Sequence, residues 1–501
     1  MRSKRFSTGL RNSAAAAATV LLTIGATITA ATAPVPAAVA HDDFNGDGYP
    51  DLVVSAPGGT VSAKKGAGYV AVLYGSGSGI STSRRATFSL STPGVPGTAQ
   101  SNDRFGQATA SSDLDGDGYA DLVVGIPGND VSSATDAGAA LVLWGSRSGL
   151  RSTGSRWLQD GTPTAKGTFG KSLATGRFTP SGTELAVLAE DDLWTYGFGA
   201  TRTVQRMSAT AVSAPRDEDF TPTALTSGDY NNDGADDVVV MGFDISYYEG
   251  RLPRDRTGGA HYLPGGPDGP KYSHGMVGGS TGASGDINND GYTDLVMGSP
   301  ADYDLQAHQL MDGGSVDVVL GGPDGPGGPG GPGGPGGPGS AYQYFTQNSP
   351  GVPGASFLGD RFGGAIAVGD INGDGYADAT IGAPGNDIDA ATDAGTGWVM
   401  QGTTTGLTTR GSHTVGQNSP RVPGTPEKGD RFGGALSLID TNRDGKAELI
   451  ASAPGEDTND GAVWVLPAIA DDLPTGGSWF FGGTTLHAPA TDARFGETLI
   501  P

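Results

Sequence analysis

Asp113-Leu114-Asp115-Gly116-Asp117-Gly118-Tyr119-Ala120-Asp121 is the stretch whose reading decides the fold, because the chain repeats it. The pattern Asp-x-Asp/Asn-x-Asp-Gly-x-x-Asp/Glu begins at Asp43, Asp113, Asp229, Asp286, Asp370 and Asp440. Each copy runs into a short apolar segment and usually a small-Ala-Pro-Gly turn, as in Leu52-Val53-Val54-Ser55-Ala56-Pro57-Gly58. Eight residues ahead of the first Asp stands a Phe-Gly pair, at Phe105-Gly106, Phe362-Gly363 and Phe432-Gly433. Self-similarity at this period argues for a repeat architecture.

The interval from Asp113 to Asp229 is too long for one unit. Inside it, Phe169-Gly170 is followed at the right distance by Arg177 to Glu184 and then Leu185-Ala186-Val187-Leu188, a degenerate copy without its acids. Seven units result. In the second unit, strands are predicted from Phe105 to Ser111, over Asp121–Gly125, over Ala139–Trp144 and around Arg156–Leu158. Short runs of Val, Leu and aromatics bounded by Gly, Pro, Asn and Asp carry the strand signature. Seven four-stranded units predict an all-β, seven-bladed β-propeller. The first unit lacks a Phe-Gly strand, and the chain finishes on Asp492-Ala493-Arg494-Phe495-Gly496-Glu497-Thr498-Leu499-Ile500, a Phe-Gly strand with no Asp loop after it. The C-terminal strand is therefore expected to close the ring.

With 87 Gly and 33 Pro among 501 residues, a disordered coil is the competing reading of the composition. The repeats assign most of that glycine to turns. Arg2, Lys4, Arg5 and Arg11 precede an apolar run from Ala14 to about Ala30, and Ala38-Val39-Ala40 offers a small-x-small cleavage site before His41. Residues 1–40 are read as a signal peptide, and 41–501 as the mature, secreted propeller. No later stretch is apolar enough to span a membrane. The formal net charge of −24 becomes −28 once the four basic residues of the leader are gone, which disfavours nucleic acid and anionic membranes as partners. There is no cysteine, so an exported, glycine-rich fold must be stapled by something other than disulfides.

The acidic loops offer that staple. Oxygens at positions 1, 3, 5 and 9, with the carbonyl of position 7, can wrap one hard cation, and Ca²⁺ accepts this flexible oxygen set better than Mg²⁺ does. The predicted ligands are Asp43, Asn45, Asp47, Tyr49 and Asp51; Asp113, Asp115, Asp117, Tyr119 and Asp121; Asp229, Asn231, Asp233, Ala235 and Asp237; Asp286, Asn288, Asp290, Tyr292 and Asp294; Asp370, Asn372, Asp374, Tyr376 and Asp378; and Asp440, Asn442, Asp444, Lys446 and Glu448. About six structural Ca²⁺ sites are expected. An EF-hand needs a bidentate acid at position 12 and flanking helices. Here β-runs follow, with Val54, Val124, Val240 and Ile381 at that position.

Phe-Gly, Asp loop and Gly-Ala-Pro turn in this order resemble the FG-GAP repeats of the integrin α-subunit propeller and its bacterial relatives. The resemblance covers nearly all of 42–501; the third unit is degenerate, and the fourth has Met241-Gly242-Phe243 in place of the Gly-Ala-Pro turn. It implies a seven-bladed propeller with Ca²⁺ in several blades and an extracellular binding role.

Strand alternation puts the Asp loops and the turns between strands three and four on one rim. The loops between strands two and three share the other with the links between blades. That second rim carries Pro93-Gly94-Val95-Pro96, Pro350-Gly351-Val352-Pro353 and Pro420-Arg421-Val422-Pro423. It also carries the long loop Asp244 to Gly258, whose Tyr247, Tyr248, Arg251, Arg254 and Arg256 are candidate ligand contacts, since aromatics and Arg mark interface hot spots. The Gly/Pro-rich stretch 321–340 is read as a loop insertion on the metal rim. Gly278-Gly279-Ser280-Thr281-Gly282 fits the G-x-S-x-G nucleophile elbow, but that motif needs a strand-turn-helix context and triad partners. The six His show no ligand spacing. The expected function is a monomeric, secreted binding or adhesion module for an extracellular protein or glycan, with no catalytic residues. The alternatives are a secreted hydrolase of esterase or phospholipase type, or a lectin, on the same ring.

Overall fold

The computed structural model describes residues 42–212, 220–248, 252–300, 303–304, 309–310, 313–327, 342–467, 469–470, 473–474 and 476–500. The signal-peptide segment with His41, the candidate contact Arg251, His308, and 328–341 of the Gly/Pro tract lie outside the described residues.

Among the described residues seven antiparallel sheets make the predicted four-stranded blades, and the sheet of blade four is widened by Tyr303–Asp304 and Gln309–Leu310. Blade two runs Thr109–Ser112, Asp121–Ile126, Ala139–Trp144 and Arg151–Leu158 from its inner to its outer strand. Blade three, whose loop lacks the ligand acids, keeps the same order with Ser172–Thr179, Gly182–Ala189, Asp192–Phe198 and Val204–Ala211. The innermost strand of each blade touches the innermost strand of the next. That chain of contacts returns from Leu436–Ile439 in blade seven to Leu499–Ile500 in blade one. Glu456–Asn459 is the only segment assigned as helical among the described residues, and left-handed dihedrals at Asp457 and Thr458 make it a turn.

The middle strands are buried along their whole length, as in Asp121–Ile126, Ala139–Trp144 and Ala462–Leu466. A blade is covered on both faces by its neighbours, so these strands read as continuous apolar runs instead of alternating. The outer strand Arg151–Leu158 is largely exposed or half-buried. Near the axis the blades meet glycine to glycine. A Cβ at Gly125, Gly298 or Gly382 would lie 2.1 Å from the carbonyl oxygen of Gly170, Gly363 or Gly433, the Phe-Gly glycine of the following blade. The Phe of each pair fills the wedge between blades: Phe105, Phe169, Phe362, Phe432 and Phe495 are all fully buried.

The C-terminal strand closes the ring as expected. Leu499 and Ile500 pair antiparallel with Val54 and Val53, and the Gly496 N–H donates to Ser55 O at 2.8 Å. Blade four departs from the prediction. The segment Asp244 to Gly258 is not a loop: it continues the two central strands, Asp237–Tyr248 and Leu252–Leu263, as a hairpin. The register runs Ser246 opposite Asp255 and Tyr247 opposite Pro253, with a bulge between Ser246 and Tyr247. Backbone pairing overrode the Gly, Arg and Asp content that reads as loop. Tyr247, Tyr248, Arg254 and Arg256 therefore stand on strands.

Candidate metal centres

Each acidic loop is wound by its own side chains. Position 1 accepts from two backbone N–H groups, those of positions 5 and 6; in blade one these are Asp47 (3.2 Å) and Gly48 (2.7 Å) on Asp43. Position 3 accepts from the N–H of position 5, and position 5 from that of position 7, as in Asp47 to Asn45 Oδ1 and Tyr49 to Asp47 Oδ1. The same pattern recurs at Asp229, Asp286, Asp370 and Asp440, and at Asp113. Position 6 must be glycine, since its φ lies between 87° and 92° in all six loops.

The acid at position 9 turns back into the fold. Asp121 accepts from Leu114 N–H (3.0 Å) through one oxygen and from Gly145 N–H (2.8 Å), in the turn between strands three and four, through the other. Asp51 does so with Phe44 and Gly75, Asp237 with Tyr230 and Gly265, Asp294 with Ile287 and Gly321, and Asp378 with Ile371 and Gly402. These bonds place the Asp loop and that turn on one rim, as the alternation predicts. Burial pushes the carboxyls upward: Asp51 and Asp121 to about 8, Asp294 to about 7, Asp237 and Asp378 to about 6. The backbone donors work against that shift, and the neighbouring loop carboxylates add to it.

The loops are also tied to one another. The position-8 N–H of one loop donates to the position-1 carbonyl of the loop before it: Ala120 to Asp43 (3.0 Å), Thr293 to Asp229 (3.1 Å), Ala377 to Asp286 (3.1 Å) and Ala447 to Asp370 (2.8 Å). Asp236 makes the equivalent bond to Arg177 in the blade whose loop lacks the ligand acids. At the seam between blades seven and one the donor is missing, because position 8 of the first loop is Pro50.

Among the described residues, two groups of three acids bring their carboxylate oxygens within 4.8 Å of one another: Asp113, Asp115 and Asp117, and Asp440, Asp444 and Glu448. The other five loops have Asn at position 3 where the second has Asp115. The seventh blade reaches three acids through the longer Glu448, whose Oε2 accepts from Thr441 N–H (2.9 Å) and whose Oε1 accepts from Asn442 Nδ2 (2.7 Å). A convergent, oxygen-only donor set carrying excess negative charge is the chemistry a hard cation fits. The structure thus gathers the carboxylates of positions 1, 3 and 5 in the loop of blade two, and of positions 1, 5 and 9 in that of blade seven. It gives position 9 a second task, as the link to the neighbouring turn.

The sequence reading missed the arginines. Arg202 reaches the second loop from blade three, with Nε 2.6 Å from Asp115 Oδ2 and Nη2 2.8 Å from Asp117 Oδ2. Arg84 reaches Asp47 at 3.0 Å beside a cleft of about 710 Å³ that Asn45, Tyr74, Arg85 and Arg147 also line. Aligning the turns between strands three and four would have found Arg202. On the opposite rim, Trp398 and Trp464 donate their Nε1–H to the carbonyls of Pro353 and Pro423, which fixes the Pro-rich links. Ser280 is buried at the entry to strand Thr281–Gly285, with no helix after it, so the G-x-S-x-G match is not a nucleophile elbow. His261 is also buried, stacked on Phe220 at 3.8 Å between ring centroids.

A closed ring of seven four-stranded blades with cation-type loops on one rim defines a β-propeller of the repeat class. The FG-GAP repeat family matches at residues 35–73, 105–143, 278–319, 362–400 and 432–466, which are blades one, two, five, six and seven. Five FG-GAP repeats therefore run through the chain, and its ring is similar to the propeller of integrin α chains. It is similar to integrin alpha pat-2 of Caenorhabditis elegans, 29% identical over 222 residues, covering 41% of this chain and 15% of that protein. It is also similar to phosphatidylinositol-glycan-specific phospholipase D of Bos taurus, 36% identical over 118 residues (23% of this chain, 14% of that protein), and of Mus musculus, 35% identical over 111 residues (22% and 13%). The matched stretch thus spans about a seventh of the curated relatives' length. No helix among the described residues is long and apolar enough to cross a membrane.

Proposed function

We propose that this chain is a secreted, Ca²⁺-stabilised propeller that acts as a binding module for an extracellular protein or glycan. Ca²⁺ is its structural staple, and the rim away from the metal loops is its contact surface. The observation that carries this reading is the division of labour between the rims. The acidic loops are tied into one another and into the blades, so an ion there braces the ring. The opposite rim carries the structured Pro-rich links. In blade four the central strands run 12 residues each, against six in blade two, and bring Tyr247, Tyr248, Arg254 and Arg256 onto one hairpin. Similarity to an integrin α chain supports a binding role. The leader-like segment 1–40 supports export, and N-terminal sequencing of the exported protein should begin near His41.

The test is an array of matrix proteins and glycans probed in Ca²⁺ and in chelator. Binding that a Y247A/Y248A variant loses while its melting temperature holds supports the reading. An array without hits beside a positive esterase or phosphodiesterase screen overturns it in favour of a hydrolase, the reading that similarity to a phospholipase D favours.

A further inference from the structure

We infer that Arg202 is a built-in counter-cation for the Asp113–Asp121 loop and makes it the weakest cation site of the six. This rests on the reading of these loops as Ca²⁺ sites. The turn between strands three and four has a fixed form in five blades: a glycine at positive φ donates its N–H to the carbonyl three residues back. These glycines are Gly79, Gly149, Gly269, Gly325 and Gly406, with φ between 77° and 102°. In blade three the same bond, Arg202 N–H to Gly199 O at 2.6 Å, is made by an arginine at φ 63°. A large side chain in that region is strained, and it persists only when its surroundings hold it there.

What holds it is the neighbouring loop. The guanidinium bridges Asp115 and Asp117 and lies over the Trp144 ring, 5.1 Å from its centroid. Asp115 is itself a departure, since the other five loops carry Asn45, Asn231, Asn288, Asn372 and Asn442 at that position. An extra carboxylate from blade two and an extra guanidinium from blade three, whose own loop lacks the ligand acids, therefore stand against each other. The Asp115 side chain is 1% exposed, so the pair is shielded from bulk screening on that side. Arg84 in blade one is different: it makes a single contact to Asp47, and its side chain is 47% exposed. A divalent ion that takes oxygens from Asp115 and Asp117 must displace a fixed planar donor fork.

Calorimetric titration of the full chain with Ca²⁺ alone tests this. R202G restores the residue five other blades use at the turn. It should tighten one site on the order of tenfold or more, or make one additional site measurable. D117N in the R202G background should lose that gain, which assigns it to this loop. R202A keeps a side chain at the strained position and should show the same gain; a gain confined to R202G would trace to turn relief and overturn the proposal. Unchanged stoichiometry and affinities in R202G, while the remaining loops bind, overturn it alone. Silence of wild type and variant at millimolar Ca²⁺ overturns it together with the metal reading.

Discussion

At the scale of single residues, position 9 of each loop matters most to the fold. Asp121 accepts from two buried N–H groups, those of Leu114 and Gly145. An orphaned buried donor costs about 1–3 kcal/mol, and removing a costly buried carboxyl offsets part of the loss. D121A is therefore expected to lower stability in chelator by about 2–4 kcal/mol, measured by urea unfolding. A loss under about 1 kcal/mol would show that these bonds carry no net weight. Glu456, on the other rim, supplies a pH dependence. Burial first, then the Asp430 carboxylate, raises it to about 7, with Asp457 and Glu427 adding to the shift. The folded state holds this proton better than the unfolded chain does, so stability is full below the unfolded value and falls as pH rises from about 4.5 to about 7. Because the group is partly solvated, the loss is discounted to about 1 kcal/mol. E456Q should be more stable than wild type at pH 7.5 and equal to it at pH 4.5, by paired thermal melts; a constant difference across that window contradicts the assignment.

Among the elements, the two-residue strand Leu499–Ile500 has influence out of proportion to its length. It joins residues more than 440 positions apart, as in the Ser55–Thr498 contacts. Beside it Phe495 is fully buried and packs edge-on against Phe481 at 5.7 Å. F495A should cost about 3–5 kcal/mol through the cavity it leaves. F480A, at a ring 46% exposed and stacked on Trp464, should cost far less. Equal effects of the two on the denaturation midpoint would mean that closure does not depend on the wedge. Deleting 492–501 exposes the edge of Leu52–Ala56 and should lower the melting temperature and promote association, because an unpaired strand edge is a template for pairing.

For the whole molecule, stability is expected to depend on calcium. The chain has no disulfide, and the loops concentrate carboxylates on one rim. A ligand that binds only the folded state stabilises by about 2.7 kcal/mol per site at a hundredfold excess over its Kd. The melting temperature should therefore climb with the logarithm of Ca²⁺ concentration and fall back in chelator. A midpoint unmoved by millimolar Ca²⁺ would remove the staple from the account. The loops' own hydrogen bonds to one another give the ring a metal-free framework, so chelation is expected to lower the midpoint without abolishing folding.

How much of this was legible in sequence follows from which interactions are local. Positions 1, 3, 5 and 6 of the loops wrap themselves, so spacing alone predicts them, and the glycine requirement at position 6 comes with it. The seven units, their four strands and the closing C-terminal strand were legible too, because each blade repeats one pattern and the chain ends on the half-blade that its beginning lacks. The hairpin through Tyr247 and Tyr248 was not, since its pairing prevails over a loop-like composition. Nor was the second task of position 9, whose partner glycines lie over 20 residues away across a turn, as Gly145 does from Asp121. The contact of Arg202 was beyond reach for the same reason: aligning the turns marks the residue, but its partners sit more than 80 residues back, in another blade. By itself the sequence determined the repeat, the ring and the oxygen-rich loops, because these are periodic and local. Only the tertiary structure decided which carboxylates stay free to meet a cation and which are taken by a backbone amide or an arginine, because those choices depend on what the neighbouring blade brings within hydrogen-bond distance.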